Sequence, residues 1–216
     1  MKVLLISLGC DKNLVDSEVM LGLLNKAGHQ ITNDETEADV VVVNTCAFIK
    51  DAKEESINTI IEMGELKKTG KLKKLIVAGC LSQRYKDEIM TELPEIDVII
   101  GATNFDKIVE AIGTDEEAIV DDIDYTPAPV RERIVTTTAS MAYRIIPHIR
   151  GRYRSVPMDS LLDSARRLAD DGIKELVLVA QETTLYGIDL YGEKRLPELL
   201  TKLSDIDGIE WIRLLY

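Results

Sequence analysis

Three residues in this sequence are well suited to chemistry: Cys10, Cys46 and Cys80. Their spacings, 36 and 34 residues, are nearly equal. Each follows a short apolar run: Val3–Leu8, Val40–Val43 and Leu75–Ala78. A thiolate is both a nucleophile and a soft metal ligand. Three thiols leave one coordination position open. That suits an iron–sulfur cluster with one accessible iron better than a structural zinc site, which takes four ligands. Of the two histidines, His29 falls at the opposite edge of the expected sheet, and only His148 is placed to complete a zinc site. The plain alternative is three packed core cysteines, a common fate of this residue. Their equivalent placement argues against it. An odd number of cysteines also argues against a disulfide framework and points to a reducing compartment.

The equal spacing has a structural origin. The three runs, with a fourth at Val98–Ile100, do not alternate with polar residues. Such runs form strands buried on both faces of a parallel sheet. Helical periodicity lies between them. The expected apolar faces are Val15, Val19, Leu23 and Ala27; Ile57, Ile60 and Ile61; Tyr85, Ile89 and Leu93; and Phe105, Ile108, Val109 and Ile112. Gly28 stops the first helix and Pro94 bounds the third. The class is α/β, and residues 1–113 are expected to form an open parallel sheet of the flavodoxin-like kind. Parallel strands point their carboxyl ends one way, so the thiols converge on the edge where such sheets bind ligands. Gly9 and Gly79 permit close backbone approach, and the helix N-termini that follow favour the thiolate.

Residues 114–140 read as an acidic linker with Pro127 and Pro129, and with one strand at Ala118–Val120. Residues 141–216 read as a second α/β segment: a helix at Asp159–Asp171, a strand at Lys174–Ala180, a helix at Leu196–Leu203 and a strand at Trp211–Tyr216. This is an incomplete (β/α) barrel portion. So few strands cannot close, and the sequence is expected to be a fragment. Arg150, Arg152 and Arg154, with Gly151 and Ser155, form either a solvated turn or a carboxylate or phosphate site. Gln181, Glu182, Thr183 and Thr184 either touch a ligand or cap the next turn. Arg152, Arg154 and Gln181 are therefore candidate cofactor contacts. No catalytic residue is assigned.

Composition excludes several classes. Against 38 acidic residues stand 26 basic ones, for a net charge of −12. That argues against a nucleic-acid surface and fits a basic partner. No apolar run approaches the ~18 residues of a membrane helix. No signal peptide is expected, so the expected location is the cytoplasm. The first turn lacks G-x-G-x-x-G, and there is no P-loop.

The run Ser7-Leu8-Gly9-Cys10-Asp11-Lys12-Asn13-Leu14-Val15-Asp16-Ser17-Glu18 resembles the opening of the radical S-adenosylmethionine methylthiotransferases. Val43-Asn44-Thr45-Cys46-Ala47-Phe48-Ile49 and Val77-Ala78-Gly79-Cys80-Leu81 resemble that family too. Ile145–Ser155, Ala180–Thr184 and Tyr186–Gly192 look most like the RimO type, which modifies an aspartate on a small-subunit ribosomal protein. The resemblance implies one [4Fe–4S] cluster held by Cys10, Cys46 and Cys80, whose open iron presents the sulfur to be transferred. It implies a second cluster, held by C-x-x-x-C-x-x-C in a barrel, that cleaves S-adenosylmethionine to a radical. It also implies a small C-terminal β-domain that helps grip the substrate.

The sequence departs from the family pattern: the barrel portion is expected to stop at Tyr216 after its early strands, without the C-terminal domain. The sequence also contains no C-x-x-x-C-x-x-C, and Met141–Arg144 runs straight into the segment that the motif should precede. About fifteen residues are missing by comparison with the family pattern, so the chain is expected to generate no radical. Three alternatives stay open: the sister branch acting on tRNA adenosine, a non-catalytic flavodoxin-like binding module, and a zinc-bound structural domain.

Overall fold

The computed structural model describes residues 1–122, 125, 127, 132–136, 142–145, 148–149, 153–180 and 182–215. The chain divides into two compact units, Met1–Val135 and Thr136–Tyr216. In the first, the apolar runs become parallel strands separated by helices. These are β1 (Lys2–Ser7), α1 (Asp11–Lys26), β2 (Gln30–Ile31), β3 (Val40–Thr45), α2 (Lys50–Thr69), β4 (Lys74–Gly79), α3 (Cys80–Arg84), α4 (Lys86–Glu92), β5 (Val98–Gly101), α5 (Ile108–Gly113) and β6 (Ala118–Ile119). The sheet runs β2-β1-β3-β4-β5-β6, and every pair in it is parallel.

Both faces are covered, which is why the strands carry apolar residues at consecutive positions. On one face Val40, Val42, Ile76 and Ile100 pack with Met20 and Leu24 of α1 and Ile108 of α5. On the other, Val41, Val43, Leu75 and Val77 pack with Ile60 and Met63 of α2 and Ile89 of α4. Each fully buried Val, Leu or Ile side chain contributes about 1.5–3 kcal/mol of transfer free energy.

The helix faces differ from the sequence expectation in detail. On α1, Met20 and Leu24 are fully buried, Val19 and Leu23 are half-buried and Ala27 is exposed. The buried arc is wide and includes Asn13, Ser17 and Glu18. Asn13 and Ser17 are buried against the strand ends, while Glu18 is covered by a strap of residues 132–135 on the side of α1 away from the sheet. Ile134 N–H donates to Glu18 O at 3.0 Å, and the Arg133 guanidinium donates to the Glu18 carboxylate at 2.6 Å. Gly22 leaves room for the strap, because a Cβ there would lie 2.5 Å from Arg133 N. Ile61 and Val109 are exposed, one position off the stripes of α2 and α5. The third helix breaks at Tyr85 into α3 and α4.

The second unit contains β7 (Ala142–Ile145), β8 (His148–Ile149), β9 (Arg154–Ser155), α6 (Met158–Asp170), β10 (Glu175–Val179), α7 (Ile188–Tyr191), α8 (Leu196–Ser204) and β11 (Trp211–Leu215). Strands β11-β10-β7 form an open parallel sheet, and β8 pairs antiparallel with β9. Helix α6 buries Leu161, Leu162, Ala165 and Leu168, the stripe read from sequence, against Leu176 and Leu178. It is an incomplete (β/α) unit with no closed barrel among the described residues. No described helix is long and apolar enough to cross a membrane.

Candidate functional site

The strand order reverses direction between β1 and β3. In an open α/β sheet such a switch point opens a crevice at the carboxyl ends of the strands. The cysteines stand there. Ser7 is in register with Asn44, and Thr45 with Gly79. Cys46 therefore follows β3 at the level where Cys80 follows β4. Cys10 lies just past the end of β1 as the N-cap residue of α1. The three thiols sit on three adjacent strand ends, as the spacing predicts. Helix N-termini follow only two of them closely: Cys80 opens α3, but α2 begins at Lys50, beyond an extended Ala47–Ile49 turn.

Two glycines pack the cysteine loops together. Gly9 has φ +88°, and a Cβ there would lie 2.8 Å from Cys46 Sγ. Gly79 has φ +99°, and a Cβ there would lie 2.5 Å from both Thr45 O and Asn44 Oδ1. Either position refuses any other residue on both conformational and steric grounds. Cys46 is buried at 5% exposure, and its N–H donates to Ser56 Oγ at 3.1 Å. Cys10 is exposed and Cys80 half-buried, and no disulfide joins the three.

Beneath them lies a largely buried polar network. Asn13 donates from Nδ2 to Leu8 O and to Thr45 O, both at 2.8 Å. Asn44 donates from Nδ2 to Asn13 O and Ser17 Oγ, both at 2.9 Å. Ser17 donates to Ser7 Oγ at 2.8 Å, and Thr45 Oγ1 donates to Ala78 O. Sequence reading missed this network, because Asn and Ser on a helix ordinarily read as its solvated face.

The donor set suits a soft metal cluster in chemistry and in place: three thiols on adjacent strand ends, at loops drawn together by Gly9, Gly79 and buried hydrogen bonds. As oriented, no three His, Cys, Asp or Glu side chains among the described residues are gathered closely enough to hold an ion. Cys46 is the fixed point of the set, and the exposure of Cys10 leaves its side chain room to turn toward it. His29 precedes β2 at the opposite edge, as expected. Burial, with the N-terminal ammonium adding to it, holds its imidazole below the usual value. His148 lies in β8, with its backbone in register with Ser155.

The second unit's candidates fare unevenly. Arg154 is half-buried in β9, while Arg152 and Gln181 lie outside the described residues, as do Arg150 and Gly151. Glu182 caps the turn after it, accepting from Thr184 N at 3.1 Å and Thr184 Oγ1 at 2.6 Å. An unforeseen network joins β9 to the region around α7. Ser155 N donates to Asp189 Oδ2 at 2.7 Å, Gly187 N to Ser155 Oγ at 2.9 Å, and Tyr186 Oη to Val156 O at 2.9 Å. Burial pushes the Tyr186 phenol well up. Burial also works to raise Asp189, but its hydrogen bonds from Ser155 hold it below the ordinary carboxylate value.

Fold and site together define a class: a flavodoxin-order α/β domain carrying thiols at its switch point. Comparison with known proteins narrows it. Residues 2–101 match the uncharacterized protein family UPF0004. The whole chain is 56% identical to the ribosomal protein uS12 methylthiotransferase RimO of Lachnoclostridium phytofermentans and covers 53% of that protein. It is 48% identical to the proteins of the same name from Clostridioides difficile and Acetivibrio thermocellus, again over its full length and 52% of theirs. The chain is thus similar over its full length to these methylthiotransferases, and it spans about half the length of each. The first alignment runs over 233 positions against 216 residues, so at least 17 positions of that relative have no counterpart here.

Proposed function

We propose that this chain comes from an enzyme that transfers a methylthio group to an aspartate of small-subunit ribosomal protein uS12, and that Cys10, Cys46 and Cys80 hold one of its clusters. The observation that carries the reading is the placement of all three cysteines at adjacent strand ends around the switch point, in a chain similar to these methylthiotransferases. Bound groups would supply an open iron to carry sulfur and, with S-adenosylmethionine at a second cluster, the radical that activates the substrate carbon. The chain's own residues do the holding. Cys46 anchors from a buried position, Cys10 and Cys80 close from either side, and Gly9 and Gly79 keep the loops in contact.

Residues 1–113 form the cluster-binding domain in this reading, 114–140 a linker and 141–216 a barrel portion. Strand β6, on the edge of the first sheet, and the strap of residues 132–135, on α1, anchor the linker. Arg152, Arg154 and Gln181 are assigned as contacts to the cofactor, with its carboxylate going to the arginines. The net charge of −12 favours a basic protein substrate over tRNA, and three thiols fit the reducing cytoplasm.

All three cysteines are committed to the switch point, so none is left for C-x-x-x-C-x-x-C. The positions of that relative without a counterpart here, at least 17, outnumber those the motif needs. The chain alone is therefore expected to form no 5′-deoxyadenosine under anaerobic, reducing conditions. The ligand set is tested by Cys10→Ala, Cys46→Ala and Cys80→Ala, each reconstituted with iron and sulfide. Loss of most of the iron in all three is expected. Loss in Cys46→Ala alone, together with a fall in its stability, would mark a packed core cysteine instead.

A further inference from the structure

We infer that Asn13 is the positioning residue of the three-cysteine site, setting the distance between the loops that carry Cys10 and Cys46. The inference rests on the cluster reading and adds a residue to it. Asn13 is fully buried on the first turn of α1. Its two amide protons go to two different loops: one to Leu8 O, two residues before Cys10, and one to Thr45 O, the residue before Cys46. Because both partners are carbonyls, the side chain must present its nitrogen to them. Its oxygen there would face two acceptors.

Asn44 closes the arrangement from the other strand. Its Nδ2 donates to Asn13 O at 2.9 Å, so the two asparagines hold each other's segments. Its Oδ1 lies against Gly79, where a Cβ would come within 2.5 Å, and that brings the loop of Cys80 into the same contact. Sites where one buried side chain spans two ligand loops govern ligand orientation, and residues behind a metal's own ligands typically change its retention by about 10–100-fold.

The test uses the 216-residue chain reconstituted anaerobically with iron and sulfide. Asn13→Asp keeps the shape and replaces the donor with an acceptor facing two carbonyls. Asn13→Ser, small and neutral but unable to span both loops, serves if Asn13→Asp does not fold. Ile108→Val, equally buried on α5, controls for lost packing. The readouts are the rate of iron loss to a chelator and the electron paramagnetic resonance spectrum of the reduced cluster. Both Asn13 variants are expected to lose iron at least ~10-fold faster with an altered spectrum, while Ile108→Val leaves both unchanged. A parent chain that loads while an Asn13 variant keeps its iron and spectrum overturns the positioning role alone. So does Ile108→Val reproducing the loss. A parent chain that takes up no iron and sulfide overturns the cluster reading, and the role of Asn13 falls with it.

Discussion

Strand β3 is one of the two central strands of its sheet and β10 the middle strand of its own, and both are largely buried, but their surroundings differ. All six residues of β3 are buried between two strands and two apolar layers. Strand β10 has an apolar layer of α6 and α8 against one face, and its neighbour β11 exposes Trp211 at 62% and Leu214 at 43%. Burial of apolar area is the main favourable term in folding. Stability therefore concentrates where two layers meet, and the three thiols stand on that rigid part. A site that must hold several ligands to within a fraction of an ångström belongs on such strands.

The contrast should appear most strongly in hydrogen exchange. Amides of β3 and β4 are expected to exchange about 100-fold or more slowly than those of β11, because core strands open only with global unfolding. Equal protection of β3 and β11 in a monomer would remove the contrast. A more local test is Gly79→Ala. It combines a left-handed backbone with a methyl 2.5 Å from two oxygens, and it should cost about 4 kcal/mol in denaturant unfolding of the first unit. A loss under about 1 kcal/mol would show that the Cys46 and Cys80 loops are not packed as described.

Acid should also separate the units. The Asp39 carboxyl is held down to about 2 by hydrogen bonds from Lys73 and the Lys2 N–H, which tie β1 to the start of β4. A depressed carboxylate stabilises fully above its unfolded value, near 4, and loses that contribution as pH falls through its folded value. The first unit's midpoint should therefore drop between about pH 4 and 2, and Asp39→Asn should flatten that part of the profile. An unchanged profile in Asp39→Asn would place the acid sensitivity elsewhere. The smallest effect expected is that of Trp211→Ser on the exposed edge, within about 0.5 kcal/mol by thermal unfolding. A large loss would mean that this face is packed.

Much of this was legible in the sequence. The unbroken Val40–Val43 run specifies a strand buried on both faces, and a cysteine after each of three such runs has to reach one sheet edge. Strand β2 was not legible, because Gln30–Ile31 is too short to carry a pattern. The burial of Glu18 on α1 depends on Arg133, 115 residues away in sequence. No local period encodes a contact at that separation. The roles of Asn13 and Asn44 were hidden for a similar reason: their burial is created by loops that arrive from other strands.

The measurement that bears hardest on the site is quantification of iron, acid-labile sulfide and zinc in the anaerobically reconstituted 216-residue chain. Three thiolates with an open fourth position should hold about four irons and four sulfides per chain, with little zinc. Zinc at one per chain without sulfide, or no bound metal at all, would contradict a cluster held by Cys10, Cys46 and Cys80.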